Sequence, residues 1–263
     1  MRLGKTLVFS FIILCSFSVF ARPYTKEEKE GIKLYRTGLE LLKKNQYEEA
    51  IKYFDKSTVK APKLADAYLM KGRVLNKLGR YEDAIKEFDK ILKIHYKRSD
   101  ELKNSLALAD KSLSLYALKK YKESLDCSNK SLSYSDNHFL TYGIRGAAYA
   151  ALGNYELAIT DFNKAIELNN TNISNDEIYL NRFCPLYNLG RYEEALATCN
   201  LALKTTDNPN NLQQIYSKKA TALNKLGRYE EALENANKAL EVDSKDPLAM
   251  NAKKETLELL KTQ

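Results

Sequence analysis

The chain is short of the residues from which active sites, metal sites and loop-rich folds are built. Its 263 residues include 10 glycines, 5 prolines, 4 cysteines and 2 histidines. So little turn-forming material argues against a sheet-rich or loop-rich fold. No Cys-x-x-Cys or Cys/His spacing is present, so nothing supports a zinc site. His95 and His138 have no nucleophile or carboxylate at a catalytic spacing. Phosphate-binding loops and dinucleotide fingerprints are missing as well. These absences speak against an enzyme and against any metal or cofactor. Long apolar runs are also scarce. Leu7 to Phe20 is the main one, at about 14 residues against the roughly 20 that span a bilayer.

What is plentiful points to helices. Apolar residues make up 44% and charged residues 29%, enough for a continuous core under a solvated surface. Leu, Ala, Lys and Glu, all good helix formers, dominate. The net charge of +8 is spread along the chain, with acidic residues beside most basic ones. That is a helical surface with a mild preference for anionic partners, and it is not a nucleic-acid footprint.

The start of the chain is different in kind. Arg2 and Lys5 precede the apolar run, and Ser18-Val19-Phe20-Ala21 ends it with small residues. This is the layout of a secretory signal peptide over residues 1–21, cleaved after Ala21. The expected location is therefore secreted or periplasmic, in a bacterial cell envelope. The alternative is a membrane-attached assembly factor of an envelope complex, held by an uncleaved leader or a lipidated Cys15. Leu14 is bulky where a lipidation signal takes a small residue. Cys127, Cys184 and Cys199 remain in the mature chain, and an odd number leaves one unpaired in a monomer.

The strongest signal is an internal repeat. Tyr47, Tyr81, Tyr121, Tyr155, Tyr192 and Tyr229 recur at intervals of 34 to 40 residues. Each stands three residues before a small one: Ala50, Ala84, Ser124, Ala158, Ala195 and Ala232. Leu-Gly-Arg-Tyr-Glu recurs from Leu78, Leu189 and Leu226, and Leu-Gly-Asn-Tyr-Glu from Leu152. This text resembles the tetratricopeptide repeat (TPR). The resemblance implies six units at 31–64, 65–98, 105–138, 139–172, 176–209 and 213–246, and a capping helix at 247–263. The implied fold is all-α, a right-handed superhelical solenoid of antiparallel helix pairs. Positions 8 and 20 of each unit are where its two helices cross. Position 8 holds Gly38, Gly72, Ser112, Gly146, Phe183 and Ala220.

Some residues depart from the pattern. Phe183 fills a crossing, and Pro185 falls inside a first helix that a Ser174/Glu177 capping box is expected to open. Ser112, Ser124, Ser128 and Ser131 replace packed residues in repeat 3, where a looser, more hydrated joint is expected. In the last helix Met250, Leu257 and Leu260 read as the packing stripe. The cations at position 7, namely Lys71, Lys111, Arg145, Arg182 and Lys219, read as long stems lying along the helix pair, with their heads in water.

The family resemblance implies a protein or peptide partner in a concave groove lined by positions 2, 5, 9, 12 and 13 of the first helices. Carried onto this sequence, the candidates are Tyr35, Leu39, Arg73, Lys77, Leu113, Tyr116, Ala147, Ala151, Leu180, Tyr187 and Asn188. Tyr116 and Tyr187 are the expected aromatic anchors, with Arg73 and Lys77 drawing acidic groups to one side. The chaperone-tail clamp of some relatives is absent, because Tyr35, Leu39, Leu69 and Arg73 stand where it would need Lys and Asn.

Overall fold

The computed structural model describes residues 24–94, 101–169, 175–206 and 208–261. The leader, Cys15, His95 and Ser174 lie outside them. The described residues form thirteen helices and no strand. The first six are α1 (Lys26–Lys43), α2 (Tyr47–Lys60), α3 (Ala65–Lys77), α4 (Tyr81–Lys93), α5 (Glu101–Ala117) and α6 (Tyr121–Tyr134). They are followed by α7 (Phe139–Ala151), α8 (Tyr155–Leu168), α9 (Asp176–Asn188), α10 (Tyr192–Leu203), α11 (Pro209–Lys225), α12 (Tyr229–Val242) and α13 (Pro247–Leu260). Two compact units result, one up to Ile144 and the other from Arg145 onwards, with the division inside α7.

Each recurring tyrosine opens the second helix of a pair. The turn before it needs one residue in the left-handed region, which Gly79, Gly153, Gly190 and Gly227 adopt at φ between 72° and 80°. In repeats 1 and 3 the same position holds Asn45 and Lys119, at φ 58° and 61°. Pairing within a repeat depends on small residues at the crossing. A Cβ on Gly72 would overlap the ring of Phe88, which is fully buried, as are its counterparts Phe54 and Phe162.

Repeat 3 solves the same problem with hydroxyls. Ser112, Ser124, Ser128 and Ser131 are fully buried, so the joint between α5 and α6 is closed to solvent, against the expectation of a looser one. The Ser131 hydroxyl donates to the Ser105 carbonyl at 2.8 Å, and Ser105 returns a bond to the Ser131 carbonyl at 3.0 Å. Ser124 donates to the Ser112 carbonyl at 2.8 Å. Small side chains let the helices approach, and backbone carbonyls then satisfy the hydroxyls of Ser112, Ser124 and Ser131.

Two further expectations change. Helix α9 starts at Asp176 with Asn175 as its N-cap, and it runs unbroken through the buried Pro185. Helix α13 packs through Ala249, Ala252 and Thr256, while Met250 and Leu257 stay 52% and 41% exposed. The reason is register. Helix α13 sits as the first helix of a further repeat, in which Met250 and Leu257 would face a second helix. The crossing position between them holds Lys254.

Candidate functional site

The candidate surface is the side of the first helices that their own second helices leave uncovered. In the first unit it is largely neutralised and partly filled. The Arg73 Nε donates to an Asp110 carboxylate oxygen at 2.6 Å, with both side chains mostly buried. Arg73 is therefore already engaged by this chain's own acid and does not stand ready for a partner's. Lys77 lies with its ammonium 4.6 Å from the centre of the Tyr47 ring. Tyr35 packs against Phe54 with ring centres 5.9 Å apart, and Leu39 joins the same apolar cluster. Leu113 is half-buried.

Tyr116 is 6% exposed and packs at 5.5 Å against Tyr121, so it is core and not an open anchor. In two other repeats the residue at position 12 turns to the next first helix. The Asn76 amide donates to the Asp110 carbonyl at 3.3 Å, and its oxygen accepts from Ser114 at 2.7 Å. The Asn224 amide donates to the Ala252 carbonyl at 3.0 Å, and its oxygen accepts from Thr256 at 2.8 Å. Both asparagines are 4% exposed. They clasp neighbouring repeats together and line no groove.

The second unit keeps a more open face. Ala147 and Leu180 are buried in the core and unavailable, at 3% and 9% exposure. Ala151 and Asn188 are exposed, and the Asn188 amide donates to the Cys184 carbonyl one turn back at 2.8 Å. Tyr187 is half-buried, stacked on Phe183 at 5.7 Å and edge-on to Tyr192 at 5.2 Å. Burial raises the pKa of its phenol, against the nearby Lys225 charge. Lys225 in turn pairs with Glu255 at 2.9 Å. Lys218 lies 4.9 Å from the Phe183 ring centre and 3.3 Å from the exposed Cys184 sulfur. The unit thus combines an aromatic edge with amide, ammonium and carboxylate groups. Sequence reasoning put Tyr187 and Asn188 here, but missed Lys218 and Glu255. Lys218 is the residue before the conspicuous position-7 cation, and Glu255 belongs to a helix read only as a cap.

Among the described residues no group of His, Cys, Asp and Glu is placed to hold a metal ion. No helix among them is long and apolar enough to cross a membrane.

Residues 35–101, 140–172 and 213–246 match three family models, each described as a tetratricopeptide repeat. Among the curated proteins none is similar in sequence. Similar solved structures include PilF from Pseudomonas aeruginosa, with TM-score 0.68 and 17% identity, covering 91% of this chain and 100% of that one. YrrB, titled a TPR protein with an unusual peptide-binding site, has TM-score 0.59 and 23% identity over 76% of this chain and 97% of its own. The Cut9–Hcn1 hetero-tetramer of the APC/C gives TM-score 0.73 and 16% identity over 86% of this chain. There the chain spans only 42% of the matched partner.

Proposed function

Since the chain belongs to the tetratricopeptide-repeat family, whose arrays serve as scaffolds for protein–protein interaction, we propose that it is a non-catalytic receptor for a protein or peptide segment, working in the cell envelope or after secretion. The observation that carries this reading is the open face of α9, α11 and α13. It offers the Tyr187 edge beside Asn188, Lys218 and the Lys225–Glu255 pair. Half-buried aromatics flanked by polar groups are typical centres of protein binding. The peptide-binding site stated for YrrB is the same kind of role on the same fold. Export rests on the tripartite leader of residues 1–21.

The test is partner capture from envelope extract on residues 22–263, beside a variant carrying Ala151→Arg and Asn188→Arg. Both positions are exposed, so the fold should tolerate the changes, and circular dichroism checks that it does. A protein retained by the native chain and lost by the variant supports the reading. Equal retention by both overturns this face as the receptor. The mass of the native protein tests export separately, because loss of residues 1–21 is expected and an intact or acylated N-terminus contradicts it.

A further inference from the structure

Position 7 of the first helices carries a cation in five successive repeats, and the structure divides those cations into two groups. In the first three, the chain supplies a carboxylate from position 23 of the same repeat or position 25 of the one before. Lys71 donates to Glu87 at 2.9 Å and to Asp55 at 2.5 Å. Lys111 donates to Asp89 at 2.5 Å. Arg145 grips Asp161 with two bonds, at 2.7 and 2.8 Å. These heads are held in ion pairs, contrary to the expectation that they stand in water.

The last two have no such partner among the described residues. Positions 23 and 25 that flank Arg182 are Thr198 and Asn163, and those that flank Lys219 are Asn235 and Asn200. Arg182 reaches only the Thr198 hydroxyl, at 3.3 Å, and its Nε is buried without a hydrogen-bond acceptor. Nearby acids are occupied. Glu194 is held at both oxygens by Arg191, at 2.6 and 2.8 Å, and Glu231 likewise by Arg228, at 2.7 Å each. The electrostatics follow the same division. Burial opposes the charge on Lys71, but Asp55 and Glu87 outweigh it and raise its pKa. Burial holds Arg182 below its ordinary value, with only a partial offset from Glu194.

We propose that Arg182 and Lys219 form a binding site for the carboxylates of an acidic partner segment. Beside Arg145 the Asp161 carboxylate fills this place with two bonds, whereas beside Arg182 the place is held by the neutral Thr198 hydroxyl, which leaves the guanidinium fork without an anion. Hydroxyl and amide side chains line the corresponding positions and carry no charge that would repel an anion. Two such cations on adjacent first helices favour a segment with more than one acidic residue, and the chain's net +8 favours its approach. Arg182 lies roughly 200° around α9 from Cys184, two residues on. Arg182 therefore projects from the side of α9 opposite Cys184, and the substitutions that test it leave the open-face residues unchanged.

The test uses the purified full chain and a fluorescent acetylated Glu-Glu-Glu peptide, with a Gln-Gln-Gln peptide and inorganic phosphate as comparisons. Arg182→Gln removes the fork. Thr198→Asp supplies the internal carboxylate that Asp161 gives to Arg145, and so should fill the slot from within. Each is expected to weaken binding about tenfold, the value of one charge-assisted hydrogen bond. Lys43→Gln, which lowers the net charge equally at an exposed site, should change it less than about twofold. In the unaltered chain the Arg182 Nε–Hε resonance should shift as the acidic peptide is added, a readout that misfolding of a variant cannot imitate. Undiminished binding by both Arg182→Gln and Thr198→Asp overturns the proposal. So does a static Nε–Hε resonance, equal loss in Lys43→Gln, or phosphate displacing the peptide at equal concentration, which would mark an adventitious ion only.

Discussion

Asn76 and Asn224 each satisfy two polar groups on the first helix of the following repeat, and they do so at matching positions. The clasp joins position 12 to the carbonyl at position 6 and the hydroxyl at position 10, first at Asp110 and Ser114, then at Ala252 and Thr256. Both are buried, so each bond forms in a low dielectric where loss of a partner is felt. Asn76→Ala is expected to cost about 1–2 kcal/mol in urea unfolding. Ser114→Ala added to it should cost little more, because the two changes remove one shared interaction. Full additivity would show that the clasp is not what holds these residues in place. The pairing was legible in the sequence. Only the junctions after repeat 2 and repeat 6 combine Asn at position 12 with Ser or Thr at position 10. It was missed because the family resemblance assigned position 12 to the groove, and Tyr116 was carried there with it. Whether a given side chain turns to a neighbour or to solvent depends on the groups opposite, which a single helix pattern does not contain.

Helix pairs were far easier to read than their surfaces. The tyrosine spacing located every second helix, because the turn demands a left-handed residue and the crossing demands a small one. The α5–α6 pair shows where that reasoning ran out. Serine at crossing positions reads as weakness if the hydroxyls are assumed to need water, whereas here backbone carbonyls of the opposite helix receive those of Ser105, Ser124 and Ser131. Ser131→Ala should therefore destabilise the pair by about 1 kcal/mol, since it removes a reciprocal bond and leaves the Ser105 carbonyl with less. Ser128→Ala should have the opposite sign. Its hydroxyl is fully buried with no partner, so removing it relieves a desolvation cost of about 1 kcal/mol. Hydrogen exchange across α5 and α6 measures both. Destabilisation by both variants would mean that packing, and not hydrogen bonding, sets the joint.

At the scale of the whole molecule, arrays of this kind lose stability repeat by repeat more readily than all at once. The cysteines are well placed to report it. Cys184 is exposed, and Cys199 is 2% exposed with burial pushing its thiol up to about 12. Cys127 sits half-buried in the first unit, where burial also raises its pKa. Under native conditions at neutral pH an alkylating reagent is expected to take Cys184 first and leave Cys199 untouched. As urea is raised, Cys127 and Cys199 should open at different concentrations, each marking its own unit. A single shared midpoint would show that the two units unfold as one. Helix α13 carries a further consequence, for how such a chain could lengthen. Its uncovered Met250 and Leu257 offer the seat of one more second helix, and Lys254 stands at the crossing, where five of the six repeats hold glycine, alanine or serine and repeat 5 holds Phe183. A repeat added at this end would have to lay its second helix over that lysine, and Lys254→Gly would give it the small crossing that most of the repeats share.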